Sequence, residues 1–406
     1  MRGAIRRSSV QAIAADIGPR PAAATADIVT PPPAARAARG TPRYLCGPVA
    51  DFFCLGGASF LLLPLAFLLP EEELSPTFAA LSLLVANVVN HPHFAVSYQI
   101  FYQGFRAKAF GRGADAALRA RYVFAGIVAP VAFAAFIACG VILGDVRLLG
   151  YGANAMGLLV GWHYAKQGYG MLMVDAALKR RFFDAAEKKI LLLNCYAVWA
   201  LSWLAMNAMM SERALWGIQY AMLRVPPWLL AAAAGIAVAT TAMTAGVLIA
   251  RRRAGGGGLP LCGVVAYGAS LYLWLLLMHR NALWLAIVPA LHSLQYLAVA
   301  TRYHRNRLGA AADADAPSPP GLLHAVFRSR ARGRYAGFVA LALALGFAGF
   351  WGAPALFQAA VPYDRAAFGA AAFLFVFWMF INVHHYFLDS VMWRSQNPEV
   401  RKHLFA

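Results

Sequence analysis

The sequence predicts an all-α, polytopic integral membrane protein of about ten transmembrane helices, with both termini cytoplasmic. Hydrophobic residues make up 61% of the chain and charged residues only 13%, a balance outside the range of ordinary soluble domains. Apolar stretches long enough to cross a hydrocarbon core of about 30 Å, which takes about 20 helical residues, recur along almost the whole length. Lys and Arg alternate between rich and poor loops, the pattern that fixes membrane orientation.

The expected spans are 49–70, 76–103, 122–144, 148–175, 189–210, 227–250, 260–278, 282–303, 335–361 and 366–393. With both termini inside, 30 of the 36 Lys and Arg fall in cytoplasmic segments or at the cytoplasmic edge of a span (Lys189, Arg302) and 5 in outer ones, while Lys166 lies within a span. The net charge of +19 is therefore read as a topology signal, and nucleic acid is not an expected partner. Residues 1–45, with stretches such as "TPPPAARAARG", lack the apolar surface to order themselves and are expected to be a disordered cytoplasmic tail. No apolar run of signal-peptide length follows the basic start. A single transmembrane domain is expected over 46–395, interrupted by a long cytoplasmic loop at 309–334, with a cytoplasmic tail at 396–406. The setting expected is a bacterial inner (plasma) membrane.

Five cysteines at 46, 54, 139, 195 and 262 stand singly and read as small packing residues. The histidines carry more. His304, His324 and His403 fall in cytoplasmic segments and His279 at the outer end of the seventh span, which leaves six inside apolar spans: His91, His93, His163, His292, His384 and His385. Counted from the outer end of each span, at 1.5 Å per residue, these six share a slab about 14 Å thick. Ionisable groups in the bilayer are costly and face the bundle interior with a partner. A site built mostly of imidazole suits iron, zinc, copper or nickel better than calcium or magnesium. All six are candidate metal ligands, with iron (Fe2+) expected first and other transition metals as alternatives.

Neighbouring polar residues supply second partners. In "GWHYAKQGYGM", Gln167 follows His163 by one turn, and Tyr164, Lys166 and Tyr169 add polar tips. In "LHSLQYLAVATRYHR", Gln295 and Tyr296 share the face of His292. In "INVHHYFLDSVMWR", Asp389 follows His385 by four and Asn382 precedes it by three. Ligating imidazoles commonly donate their second ring N–H to such groups. Asp389 is expected as ligand or orienter, and Asp389, Tyr169 and Gln167 as the catalytic candidates; Tyr98 and Tyr386 are further cavity-lining candidates. In "HPHF", residues i and i+2 of a regular helix point about 200° apart. Pro92 removes an amide donor and disturbs its predecessor, so a local break is expected to turn both His91 and His93 inward.

Histidines spread over membrane helices resemble the membrane-bound non-haem iron desaturases and hydroxylases, although the HxxxH and HxxHH boxes of that class are missing. A nearer resemblance is to the Brp/Blh family of carotene-cleaving dioxygenases. "HPHF", "WHYAKQGYG", "HSLQY" and "HHYFLD" fall in a similar order to that family's motifs, with His93, His163, His292 and His385 at the matching places. Tyr296 stands where the family's HSxxH motif has its second histidine. The resemblance implies an embedded iron site acting on a lipophilic substrate.

The expected function is thus a metal-dependent oxidoreductase or oxygenase, with the bilayer, a lipophilic small molecule and an electron donor as partners. The alternatives from the residues are a haem- or quinone-binding electron-transfer protein and a proton or metal transporter. A transporter would continue the polar path outward, where the sequence is nearly all apolar.

Overall fold

In the computed structural model, residues 43–68, 76–111, 115–209, 214–215, 218–219, 221–255, 258–276, 282–315, 322–394 and 396–405 are described. The expected tail, except for its last three residues, and His279 lie outside them. The chain is all-helical apart from a two-residue antiparallel pair, β1 Ala214–Leu215 with β2 Ile218–Gln219.

Each apolar stretch forms a helical rod among the described residues. These are α1 (48–68), α2 (76–102), α3 Ala116–Ile142, α4 Val146–Leu178, α5 Ala185–Met209, α6 Pro227–Arg253, α7 Leu261–Leu276, α8 Ala282–Asp315, α9 (322–360) and α10 Ala372–Met392. Five stretches are long and apolar enough to cross a membrane: Ala116–Ile142, Ala185–Ala208, Pro227–Arg253, Arg330–Ala360 and Ala372–Met392. Their outward side chains include Val131, Ile142, Val238 and Leu356, all strongly exposed. A belt of that kind belongs against lipid, and the chain is a membrane protein.

The segment expected as a loop over 309–334 is helical over 309–315 and 322–334, as the ends of α8 and α9. The first piece is rich in Ala and the second in Arg, Leu and Ala, all strong helix formers. Within α1, Gly56 takes φ 150°; a Cβ there would stand 2.9 Å from the Cβ of Ala269, so this glycine lets α1 close on α7.

Five of the rods contain a wide π-turn, at Phe53–Gly57, Ala86–Asn90, Phe124–Val128, Ala269–Leu276 and Ala348–Gly352. Such turns absorb an extra residue and re-aim the side chains beyond it. Four helices, α2, α4, α8 and α10, form an inner bundle in which α10 packs on α2 and α4, and α8 packs on the same two. The others wrap it. On the outer flank, α5, α6 and α7 are joined by Asn194, which donates to the hydroxyls of Tyr267 (3.0 Å) and Tyr272 (2.8 Å) and accepts from Thr240 (3.0 Å) and Thr241 (3.1 Å).

Candidate metal centre

Helix α2 delivers the first histidine. Pro92 sits in the first turn after the π-turn, where its missing N–H and fixed φ are tolerated, so the backbone at His91 stays helical (φ −65°, ψ −43°). The expected break is absent, and the two histidines diverge as a regular helix requires. His93 points into the bundle. His91 points away and stacks on Phe350 (ring centroids 4.0 Å apart), with Trp351 at 6.2 Å.

His93 Nδ1 lies 2.5 Å from the carbonyl oxygen of Asn90 and 2.7 Å from Ser293 Oγ. A carbonyl only accepts, so Nδ1 carries the proton, and Nε2 is left with a free lone pair. That Nε2 is buried without a partner. Ser293 is held in turn by the carbonyl of Pro289 (2.7 Å) and by Asn90 Oδ1 (2.9 Å).

Three more imidazoles meet His93 inside the bundle. Its ring centroid is 4.8 Å from that of His385 on α10 and 5.5 Å from that of His292 on α8. His163 on α4 is 4.8 Å from His292 and 5.0 Å from His385. The carboxylate of Asp389, one turn beyond His385, closes the group: Oδ2 stands 3.4 Å from His385 Nε2 and 3.7 Å from His163 Nε2. Two sets of ligand atoms, from His93, His292 and His385 and from His163, His385 and Asp389, each gather within 4.8 Å. Two atoms bound to one ion at about 2.1 Å lie no more than about 4.2 Å apart, so the Asp389 contacts already have ligand spacing.

Burial and satisfaction point the same way. His93, His292, His385 and Asp389 are buried, and only His163 keeps a modest exposed edge, 12% of its side chain. His93 Nε2, His163 Nε2, His292 Nδ1, both ring nitrogens of His385 and both oxygens of Asp389 lack hydrogen-bond partners. One orphaned polar atom in a core is unusual; so many gathered in one cluster is what an ion-binding cradle presents. A carboxylate surrounded by lone pairs in a low-dielectric interior is strongly unfavourable without a cation between them.

The remaining sequence candidates fall elsewhere. His384 is turned outward from the cluster by the helix: Nδ1 bonds the hydroxyl of Tyr98 (2.8 Å) and Nε2 approaches the carbonyl of Ala125 (3.1 Å), which engages both nitrogens. Gln167 crosses to α8, donating to the carbonyl of His292 (2.9 Å) and to Gln295 Oε1 (3.1 Å), and Gln295 donates to the carbonyl of Leu55 and to Ser270. These amides fix where α8 stands against α4 and leave the imidazoles alone. Asn382 bonds back to the carbonyl of Trp378 (2.8 Å). Tyr169 lies under the ammonium of Lys166, 5.6 Å from it, and Tyr386 is 6.3 Å from His163.

Tyr296, at the place of the second HSxxH histidine, faces the cluster instead: its ring is 5.5 Å from His93 and 5.8 Å from His385, and its buried hydroxyl has no partner. Tyr164 covers His292 at 4.3 Å, and Phe94 covers His385 at 4.8 Å. The spacing of four from His292 marks Tyr296 in sequence; Tyr164 and Phe94 are marked only as neighbours of His163 and His93, whereas the histidines they cover, His292 and His385, lie across helix interfaces. An apolar cavity of about 380 Å³ lies between α3, α9 and α10, lined by residues such as Ile137, Phe357 and Phe377. It stops at Phe380, beside His384, and is separate from the histidine cluster. Compared with protein-family models, curated proteins and solved structures, the chain matches none.

Proposed function

We propose that this chain is a membrane-embedded, metal-dependent oxidoreductase that holds iron with His93, His163, His292, His385 and Asp389 and acts on a lipophilic substrate. One observation carries the reading: four imidazoles and a carboxylate from four separate helices of the chain gather with their ligand atoms buried and unpartnered. An all-nitrogen set with one carboxylate suits iron or another first-row transition metal, and iron with an open coordination position supplies dioxygen activation.

The chain's own residues have defined parts. Asn90 and Ser293 hold the His93 tautomer that offers Nε2. Gln167 and Gln295 lock the helix that carries His292. Phe94, Tyr164 and Tyr296 wall the cluster and exclude water, which limits side reactions. The Tyr296 hydroxyl, buried without a partner on a ring 5.5 Å from His93, is suited to holding a proton at the reacting centre.

The start of α4 and the end of α5 support an enzyme over a conduit. The polar pair there, Asn154 and Asn207 (2.6 Å apart), is spent on Trp203 and on the backbone at Ala221 and Leu223. Facing imidazoles this close also leave no plane for a porphyrin between them. We place the protein in a bacterial inner (plasma) membrane with ten crossings and both termini cytoplasmic, on the Lys and Arg distribution. An external electron donor completes the reaction.

The test is elemental analysis of detergent-purified protein by plasma mass spectrometry, with an absorption spectrum, for wild type, His163→Ala and His385→Ala. Near-stoichiometric iron without a Soret band, lost in both variants, is the expected result. Protein free of any transition metal, prepared without chelator, overturns the reading.

A further inference from the structure

His163 is the one cluster member with an exposed edge, and the surface beside that edge is unusual. Three residues on, Lys166 stands exposed in the middle of α4, whereas the other polar side chains of that span, Asn154, His163, Gln167 and Asp175, are buried or half-buried. It makes no ion pair among the described residues. Its ammonium rests 5.7 Å from the ring of Trp162 and 5.6 Å from that of Tyr169. A lone lysine on a lipid-facing surface is costly, so its place calls for a partner.

Both α5 and α10 pack on α4 here. From α5, Tyr196 stacks on Trp162 at 4.4 Å; from α10, Tyr386 approaches His163. Between these walls the floor is open: a Cβ on Gly170, one turn past Lys166, would meet nothing within 4 Å. Further cations rim the same seam. Arg394 is exposed just past the end of α10, eight residues beyond Tyr386, and Lys189 is exposed two turns before Tyr196 on α5. The seam is therefore aromatic beside the metal ligands and cationic towards one end, with no carboxylate paired to Lys166.

From this we infer that the seam between α5 and α10 binds an amphiphile with an anionic head, the head on Lys166 and Arg394 and the chain along Trp162 and Tyr386 towards His163. The inference rests on the oxidoreductase reading for its substrate role, but the binding itself does not. A carboxylate or a phosphate on a long alkyl chain satisfies the same cations.

The experiment is tryptophan quenching in vesicles of uncharged phosphatidylcholine, titrated with a long-chain fatty acid brominated at mid-chain, its methyl ester, or phosphatidic acid with the same brominated chains. The part of the quenching lost in Trp162→Phe isolates the seam. The acid is expected to quench Trp162 in wild type and in Lys166→Arg, and Lys166→Gln to need about tenfold more of it. The ester is expected to bind weakly and equally in all three. Stronger Lys166-dependent quenching by phosphatidic acid assigns the head as phosphate, and by the fatty acid as carboxylate; either supports the inference. Equal quenching by acid and ester, or no effect of Lys166→Gln, overturns it. Iron measured in the same samples keeps the two readings apart: metal-free protein that still shows Lys166-dependent quenching sinks the oxidoreductase and leaves the anion site standing.

Discussion

His384 and His385 are adjacent in sequence and opposite in use. A helix turns each successive residue by 100°, so only one of the pair can face the inner bundle. His385 does so with both nitrogens unpartnered, whereas His384 is tied to Tyr98 and the Ala125 carbonyl. His385→Gln is expected to lose bound iron and His384→Gln to keep it, as plasma mass spectrometry of the paired variants would read. Tyr98→Phe should lower stability by about 1 kcal/mol, seen as a lower melting temperature, without changing metal content. Asp389→Asn keeps the shape and removes the charge, and metal affinity should fall about 10- to 100-fold in a chelator competition.

Among the elements, the join of α5, α6 and α7 and the docking of the short helix Pro398–Leu404 are both testable. Asn194→Ala removes the group that joins Thr240, Thr241, Tyr267 and Tyr272 at the first of these, leaving Thr240 and Tyr267 their bonds to backbone carbonyls, and should destabilise the protein by about 1 kcal/mol while leaving iron in place. At the second, Glu399 meets Lys108 (3.1 Å) and Arg307 (3.9 Å). Burial pushes the Glu399 carboxyl up, but Lys108, Tyr303 and Arg307 together outweigh it and hold the group below its ordinary range. Because the folded value is depressed, this contribution is present above the unfolded value of about 4.3 and fades as pH falls through the folded one. Hydrogen exchange should therefore show the C-terminal helix loosening at acidic pH, and Glu399→Gln should make it loose already at neutral pH.

For the whole molecule, orientation is the open physical question, and the charge distribution predicts it. In a cysteine-free background, Pro362→Cys should react with a membrane-impermeant maleimide in intact cells, and Arg332→Cys only after permeabilisation. The reverse pattern would invert the proposed topology.

By itself the sequence determined that the chain is helical and membrane-bound, because hydropathy and length are properties of a single segment read one at a time. It also gave the expectation that six histidines share a level, since depth follows from counting along a helix. Azimuth does not. Which histidines meet depends on how each helix is rotated against its neighbours, and that was decided by contacts far apart in sequence: Gln167 on His292, Ser293 on His93, Tyr98 on His384. The expectation that Pro92 would swing His91 inward failed for the same reason, because the π-turn before it absorbed the proline and left the helix regular. Tyr296 was visible as a neighbour of His292, but only packing made it the wall of the cluster. Tertiary structure alone separated four converging imidazoles from six at one depth, because only packed helices bring side chains from distant segments to a common point.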